Sequence, residues 1–293
     1  MDSSLSPEWY RDESPETSME DTKKTIEYMK SIDPNYDIVS PIITPRFAPS
    51  CTSKLMHDLG ALQKETNLPV QTHISENKNE LALVKELFPE YESYTDVYDK
   101  HSLLGPKTIL AHAIHLSEKE MQTIKQKKAK ISHCPCSNSS ITSGTAKIRT
   151  MLEKGIDIGL GTDMSGGYSP SVLEAVRQSL LVSNHVAMEG DDRNKLSVEE
   201  VLYLGTRGGA KVVGLESKVG GFEVGKEWDA QLIAFGADVE GELWTTSEDT
   251  DGGMVDMFGW ESWDERVQKW VFGGDDRNTI KVWVKGRLVH ARK

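Results

Sequence analysis

Thr108-Ile-Leu-Ala-His112 is a short apolar run that ends in a histidine, and Ser117-x-x-Glu120 follows it in the chain. The apolar run predicts a β-strand. The Ser-x-x-Glu spacing predicts the first turn of an α-helix, because each side chain can accept a hydrogen bond from the other residue's backbone N–H. A strand followed directly by a helix is the repeating unit of parallel α/β folds.

The same order of strand and helix recurs between residues 37 and 215. Strands are predicted at 37–44, 68–74, 108–112, 130–134 and 157–163, and helices at 52–66, 77–88, from 117, up to 154, at 171–188 and at 197–213. Ser197-x-x-Glu200 gives the last of these helices the same capping signal as Ser117-x-x-Glu120. Parallel strands joined by helices form either an open doubly wound sheet or a barrel. The pattern alone leaves both architectures open.

Three segments are predicted from these patterns. Residues 1–36 form a helical segment, whose helix opens at Ser14-Pro15 with an N-cap serine and a proline in the first turn. Residues 37–215 hold the strand–helix units, and residues 216–293 form a small β domain and a C-terminal tail. Within this last segment, the acidic stretch 241–263 predicts a loop, and the alternating run around Lys285-Gly286 predicts a hairpin.

Composition and charge argue against a nucleic-acid-binding protein and against a membrane protein. The 293 residues carry a formal net charge of −12, so the average surface repels a polyanion and nucleic-acid binding is not expected. The first residues lack the basic and apolar regions of a signal peptide, and no apolar run approaches the length of a membrane span. The three cysteines are an odd number, which favours reduced thiols. We therefore expect a cytoplasmic protein without a membrane or nucleic-acid partner.

Polar residues stand where the predicted strands end. They are Arg46, His73, Glu76, His112, His133 and Asp163. The carboxyl ends of strands in a parallel barrel meet on one face, where such enzymes place their active sites. A single histidine is more often structural. A residue able to bind metal at the end of one strand after another, however, predicts an active site.

The residue types indicate a zinc-dependent hydrolase. Zinc accepts imidazole and carboxylate ligands, and a catalytic zinc keeps one position for a water whose pKa it lowers. A carboxylate beside that water must carry its proton to the leaving group. Glu76, on the loop after His73, is predicted to be that carboxylate, while Asp163 is predicted to bind the metal and orient the water.

Several motifs resemble the amidohydrolase superfamily of metallo-dependent hydrolases. They are Pro45-Arg-Phe, Gln71-Thr-His-Ile-Ser-Glu, Ala111-His, Ser132-His-Cys-Pro-x-Ser-Asn and Gly159-Leu-Gly-Thr-Asp-x-x-Gly-Gly-Tyr. The histidine and Gly-Thr-Asp motifs indicate only the superfamily. Pro-Arg-Phe, Thr-His-Ile-Ser-Glu and Gly-Gly-Tyr together resemble its guanine deaminase branch, and the resemblance covers nearly the whole chain.

This resemblance implies a fold, a reaction and residue roles. The fold would be a (β/α)8 TIM barrel with a small β domain, and the reaction would convert guanine and water to xanthine and ammonia in purine catabolism. His73 and Asp163 would bind one zinc ion, and Glu76 would be the proton shuttle. His112 would stabilise the tetrahedral intermediate. Arg46 would bind the purine carbonyl with Phe47 against the ring, and the protein would be a homodimer.

The chain departs from this family pattern at the metal ligands. The family also uses a His-x-His pair after the first barrel strand, and no two of the eight histidines here are separated by a single residue. The five predicted strands are likewise fewer than a closed (β/α)8 barrel contains, which leaves about three N-terminal strands missing. We therefore expect an N-terminally truncated barrel that, by itself, folds poorly and has little or no deaminase activity.

Two other functions stay open at this point. The chain could be a related amidohydrolase acting on another amino-heterocycle, or a non-catalytic truncated isoform that acts through dimerisation. His133-Cys134-Pro135-Cys136 is not expected to bind metal, and His133 is expected at the edge of the pocket. The glycines around Asp163 lack a nucleotide-binding spacing and are expected to allow close approach to the substrate.

Overall fold

A computed structural model describes residues 1–235 and 255–292 of the chain. Its central element is a parallel sheet of four strands in the order β1 (Val70–Ile74), β2 (Thr108–His112), β3 (Lys130–His133) and β4 (Ile158–Leu160). One row of paired residues crosses all four strands: Thr72, Leu110, Ile131 and Ile158. All four are buried. Leu110, Ile131 and Ile158 belong to the main hydrophobic core, as the apolar residues of a parallel sheet commonly do.

The predicted strand at 37–44 is wrong as a regular strand. The segment contributes only an isolated parallel bridge between Ile43 and Val70, although Ile43 donates to Pro69 O and accepts from Gln71 N. Pro41 and Pro45 flank this bridge and have no N–H to donate to a neighbouring strand. The parallel sheet therefore contains four of the five predicted strands.

Eleven α-helices are present in the described part of the chain. They are α1 (Pro15–Ile32), α2 (Ser53–Thr66), α3 (Lys78–Leu87), α4 (Tyr94–Lys100), α5 (Glu118–Lys127), α6 (Pro135–Ser140), α7 (Ile148–Glu153), α8 (Val172–Met188), α9 (Val198–Tyr203), α10 (Gly209–Val212) and α11 (Trp263–Gly273). None of them is both long and apolar enough to cross a membrane.

Most of the predicted helices are confirmed. The predicted capping boxes of α5 and α9 form with both reciprocal hydrogen bonds. The helix expected to run up to residue 154 is two short helices, α6 and α7, because Gly144 in the connection adopts a φ of 138°. A π-helical turn at Leu204–Gly208 joins α9 to α10. Helices α4 and α11 were not expected from the sequence.

A second sheet is built from the C-terminal segment. Strands β5 (Ala230–Ile233), β6 (Thr279–Val284) and β7 (Arg287–Ala291) pair antiparallel in that order. The predicted hairpin turn is confirmed, with both Lys285 and Gly286 at positive φ. Of the predicted loop at 241–263, residues 241–254 lie outside the described part, 255–262 form no helix or strand, and Trp263 begins α11. The division of the chain into three segments stays a prediction.

Candidate active site

Four predicted site residues converge beyond the carboxyl ends of the parallel strands. His112 Nε2 lies 3.7 Å from Glu76 Oε2 and 4.0 Å from Asp163 Oδ2. The rings of His73 and His112 stack with centroids 5.2 Å apart. Two imidazoles and two carboxylates, placed at or just after the ends of β1, β2 and β4, thus face one small volume.

Unusual backbone conformations turn the chain into this volume. Ser75, His112 and Asp163 have φ values of 50°, 67° and 43°. The left-handed region is uncommon for residues other than glycine, and residues held there cluster at functional sites. In each case a strand has just ended, so the left-handed residue redirects the chain toward the site.

The ring of His73 is held by a hydrogen bond to a backbone carbonyl. Its Nδ1 lies 2.7 Å from Arg46 O, and since a carbonyl only accepts, Nδ1 carries the proton. Burial lowers the pKa of His73 below its ordinary value, although the hydrogen bond to Arg46 O opposes that shift. The ring is therefore neutral at neutral pH, and its Nε2 lone pair is available to a ligand.

Glu76 is held through both its backbone and its carboxylate. Its N–H donates to Glu80 Oε2 at 2.7 Å, and Ser143 Oγ donates to its Oε1 at 3.0 Å. Glu80 is buried and accepts from the Tyr94 hydroxyl through its other oxygen at 2.8 Å. Glu76 Oε1 is thereby occupied, and Oε2 faces His112.

Arg46 and Phe47 lie on the segment beside β1, and only Phe47 borders the site. The Phe47 ring meets the His73 ring edge-on, at 6.5 Å between centroids and 66° between planes. Arg46 is exposed, and its guanidinium lies over the Tyr10 ring, 5.9 Å from the centroid. Phe47 therefore borders the convergent group, whereas the Arg46 side chain rests on the N-terminal segment.

His133 lies beneath the site and not at its edge, so that prediction is wrong. Its side chain is fully buried, and neither ring nitrogen has a hydrogen-bond partner among the described residues. Burial, followed by the nearby His112, lowers the pKa of His133 to about 3. Burial also raises the pKa of the Cys134 thiol to about 12. Both groups are thus uncharged.

The glycines near Asp163 make room for neighbouring protein atoms. A Cβ on Gly166 would lie 2.8 Å from Asp163 Oδ2, and one on Gly167 would lie 2.5 Å from Thr162 O. Ordinary side-chain contacts are longer than this. The glycines therefore allow the loop that carries Asp163 to fold on itself, and their expected role of letting the substrate approach closely stays a prediction.

The donors fit zinc in type but not in number. His73 offers an imidazole nitrogen and Asp163 a carboxylate, which are zinc ligands. No group of three or more His, Cys, Asp or Glu side chains suited to a metal occurs within residues 1–235 and 255–292. A catalytic zinc uses about three protein ligands or more. On this geometry the described residues supply part of a metal site.

Comparison with known proteins identifies the family. The model of the amidohydrolase family matches residues 1–289. The chain belongs to the amidohydrolase family. A probable guanine deaminase of Schizosaccharomyces pombe is 49% identical over 97% of this amidohydrolase chain and 52% of its own length. This chain thus spans about half the length of that curated relative.

Solved structures share the fold of this amidohydrolase. A guanine deaminase from C. acetobutylicum with bound guanine in its active site has a TM-score of 0.84 and 35% identity, over 99% of this chain and 64% of its own. A more distant neighbour is an adenosine deaminase from Xanthomonas campestris with bound zinc, at a TM-score of 0.76 and 18% identity, over 93% of this chain and 56% of its own. The predicted α/β metallo-hydrolase fold is therefore confirmed.

The sequence did not point to the residues that hold the site together. Asn138 accepts from His112, Ser143 donates to Glu76, and Tyr98 donates to the His73 carbonyl. Asn138 stands within the Ser132-His-Cys-Pro-x-Ser-Asn motif, which was a usable signal. Tyr98 and Ser143 carried no comparable signal.

Proposed function

We propose that this amidohydrolase chain carries the substrate-binding and proton-transfer residues of a guanine deaminase. The reaction is hydrolysis of guanine to xanthine and ammonia. The observation that supports it most is the convergence of His73, Glu76, His112 and Asp163 at the strand ends. The 49% identity to a probable guanine deaminase supports guanine as the substrate class.

The proton-transfer role is assigned to Glu76. Its Oε2 faces the convergent volume, while Oε1 is held by Ser143. Oε2 takes the two protons of the attacking water in turn, and it delivers one to the ring nitrogen beside the attacked carbon and the other to the amine that leaves as ammonia. Protons therefore balance over one turnover. Once it carries a proton, His112 Nε2, 3.7 Å away, donates to the oxygen that develops charge at the attacked carbon.

The metal role is assigned to His73 and Asp163. When bound there, zinc supplies a water of lowered pKa. His73 is suited to this because its Nδ1–H is committed to Arg46 O and its Nε2 is free. The remaining ligands must come from a His-x-His pair that this sequence does not contain.

The substrate is bound by Arg46 and Phe47. Phe47 lies against His73 and offers an aromatic face to the purine ring. The Arg46 guanidinium forms no ion pair with a carboxylate of the described residues, so it can leave the Tyr10 ring and donate to the purine carbonyl. A homodimer, a cytoplasmic location and the division of the chain into three segments are also proposals.

Activity should be measured on the chain alone and on the chain co-expressed with the part of the S. pombe relative that it does not match. Both preparations receive zinc and guanine, and xanthine is quantified. We expect little turnover from the chain alone and xanthine from the pair, with Glu76→Gln in this chain lowering the rate by about 10²- to 10⁴-fold.

Adenine and an aminotriazine serve as competing substrates in the same assay. Preference for either over guanine would replace the proposed substrate by another amino-heterocycle. Formation of a stable pair that lacks turnover on all three would support the non-catalytic alternative and overturn the proposal.

A further inference from the structure

The ring of His112 is fixed from behind by one amide. His112 Nδ1 lies 2.8 Å from Asn138 Oδ1, and both side chains are 1% exposed. An amide oxygen only accepts, so the proton of a neutral His112 resides on Nδ1. Because both side chains are buried, this bond lies out of contact with bulk solvent.

This hydrogen bond determines which ring nitrogen of His112 faces the site. With Nδ1 turned toward Asn138, Nε2 is the atom directed at Glu76 Oε2 and Asp163 Oδ2. A neutral His112 then presents a lone pair to the site, and only a proton gained there converts Nε2 into a donor. In the opposite tautomer, Nε2 would already carry a hydrogen and Nδ1 would point a lone pair at an amide oxygen.

Asn138 is itself anchored within a short segment that reaches both catalytic groups. Its N–H donates to Cys134 O at 3.0 Å, and its own carbonyl accepts from Ser143 N at 2.9 Å. Ser143 Oγ is the group that donates to Glu76 Oε1. The end of α6 and the turn after it therefore hold His112 on one side and Glu76 on the other.

We propose that Asn138 is a positioning residue that sets the tautomer and the ring orientation of His112. The relevance to turnover rests on the proposed deaminase function, but the tautomer itself does not. The Asn138 side chain is hydrogen-bonded to His112 and acts through that ring. The chemical requirement at residue 138 is a buried hydrogen-bond acceptor, which Asp can supply and Leu cannot.

The test uses the whole chain labelled with ¹⁵N-histidine and reads the ring nitrogens by NMR. Asn138→Asp keeps the acceptor oxygen, Asn138→Leu removes it at similar size, and Ser139→Ala changes an exposed residue of the same helix. His101 is an internal reference for folding. Its Nδ1 donates to Val97 O and its Nε2 accepts from the Ser53 hydroxyl, each at 2.7 Å.

We expect His112 to be protonated at Nδ1 in the parent chain, in Asn138→Asp and in Ser139→Ala, and to lose that preference in Asn138→Leu while the His101 signals stay in place. A parent His112 protonated at Nε2, or an unchanged His112 in Asn138→Leu, would overturn the proposal. In the co-expressed pair, Asn138→Leu should lower kcat by about 10- to 100-fold and Asn138→Asp should restore most of it. Absence of turnover in the parent pair would instead count against the deaminase function and leave the NMR result standing.

Discussion

The imidazole rings of His73 and His112 lie against each other, with centroids 5.2 Å apart and planes inclined by 25°. Each ring is held on its far side by a different oxygen, Arg46 O for His73 and Asn138 Oδ1 for His112. The two rings come from neighbouring strands, and their partners come from segments on opposite sides of the site. Movement of either partner therefore displaces the stacked pair.

Replacing Tyr98 by Phe should destabilise the protein and the site together. The buried Tyr98 hydroxyl donates to His73 O at 2.7 Å and accepts from Ala48 N at 3.0 Å. Its loss leaves a buried carbonyl unpaired, which costs about 1–3 kcal/mol in the free energy of unfolding. Urea denaturation measures this, with Tyr28→Phe on an exposed helix face as the control. Equal effects of the two changes would contradict the role given to the hydroxyl.

Gly167→Ala should disturb the loop that carries Asp163. The added Cβ would lie 2.5 Å from Thr162 O, a backbone atom that cannot rotate away. We expect a loss of about 1–3 kcal/mol in the free energy of unfolding. Gly105→Ala is the matched control, because a Cβ there meets no atom within 4 Å. If both variants unfold at the same urea concentration, the close packing of this loop is not what requires glycine.

His133 should make the protein less stable in mild acid. Burial lowers the pKa of His133 to about 3, whereas an unfolded histidine titrates near ~6.5. Between these values the unfolded chain binds the extra proton, so this contribution to stability is complete above the unfolded pKa and is lost as the pH falls. From pH 7 to pH 5 the loss is about 2 kcal/mol.

His133→Phe, which cannot titrate, should remove that part of the pH dependence. The measurement is the free energy of unfolding in urea at several pH values for the parent chain and the variant. His57→Gln changes an exposed histidine on α2 and should leave the slope as it was. A variant with the parent's slope would show that His133 is solvated or paired in solution.

Ser143→Ala should reduce turnover in the co-expressed pair without removing the backbone bond from Ser143 N to Asn138 O. The change frees Glu76 Oε1, so the carboxylate can rotate away from the reaction. We expect kcat to fall by about 10- to 100-fold with a smaller change in KM. Ser139→Ala is the control, and Ser143→Thr tests whether a hydroxyl is sufficient. A variant that matches the parent would assign Ser143 a purely structural contact.

Local sequence patterns predicted the parts of the fold that depend on near neighbours. The Ser117 and Ser197 capping boxes form as expected because their partners lie three residues away. The strand predicted at 37–44 is wrong because the apolar residues there resemble a strand, whereas the prolines limit hydrogen bonding to a neighbouring strand. Helix α11 begins with Ser262-x-x-Glu265, which is the same capping signal. No helix is predicted there because this signal borders the acidic stretch that predicts a loop.

The structure brings together four residues predicted for the site, but the sequence did not predict the side chains that hold them in place. His73, Glu76, His112 and Asp163 were found because each follows a strand, a position visible in the sequence. The bonds from Tyr98 to His73 and from Asn138 to His112 join residues 25 and 26 apart in the chain. Such contacts depend on how helices pack behind the sheet, and no local periodicity encodes that packing.

The left-handed backbone at Ser75, His112 and Asp163 limits how far this site can be altered by directed evolution. β-Branched and bulky side chains are disfavoured at such φ values. Most substitutions at these three residues would therefore disturb the fold of the site, whatever side-chain chemistry they introduce. Phe47 has an extended backbone, with φ at −165°. A library that seeks new heterocyclic substrates should therefore randomise the residues at 46 and 47 and leave those three codons unchanged.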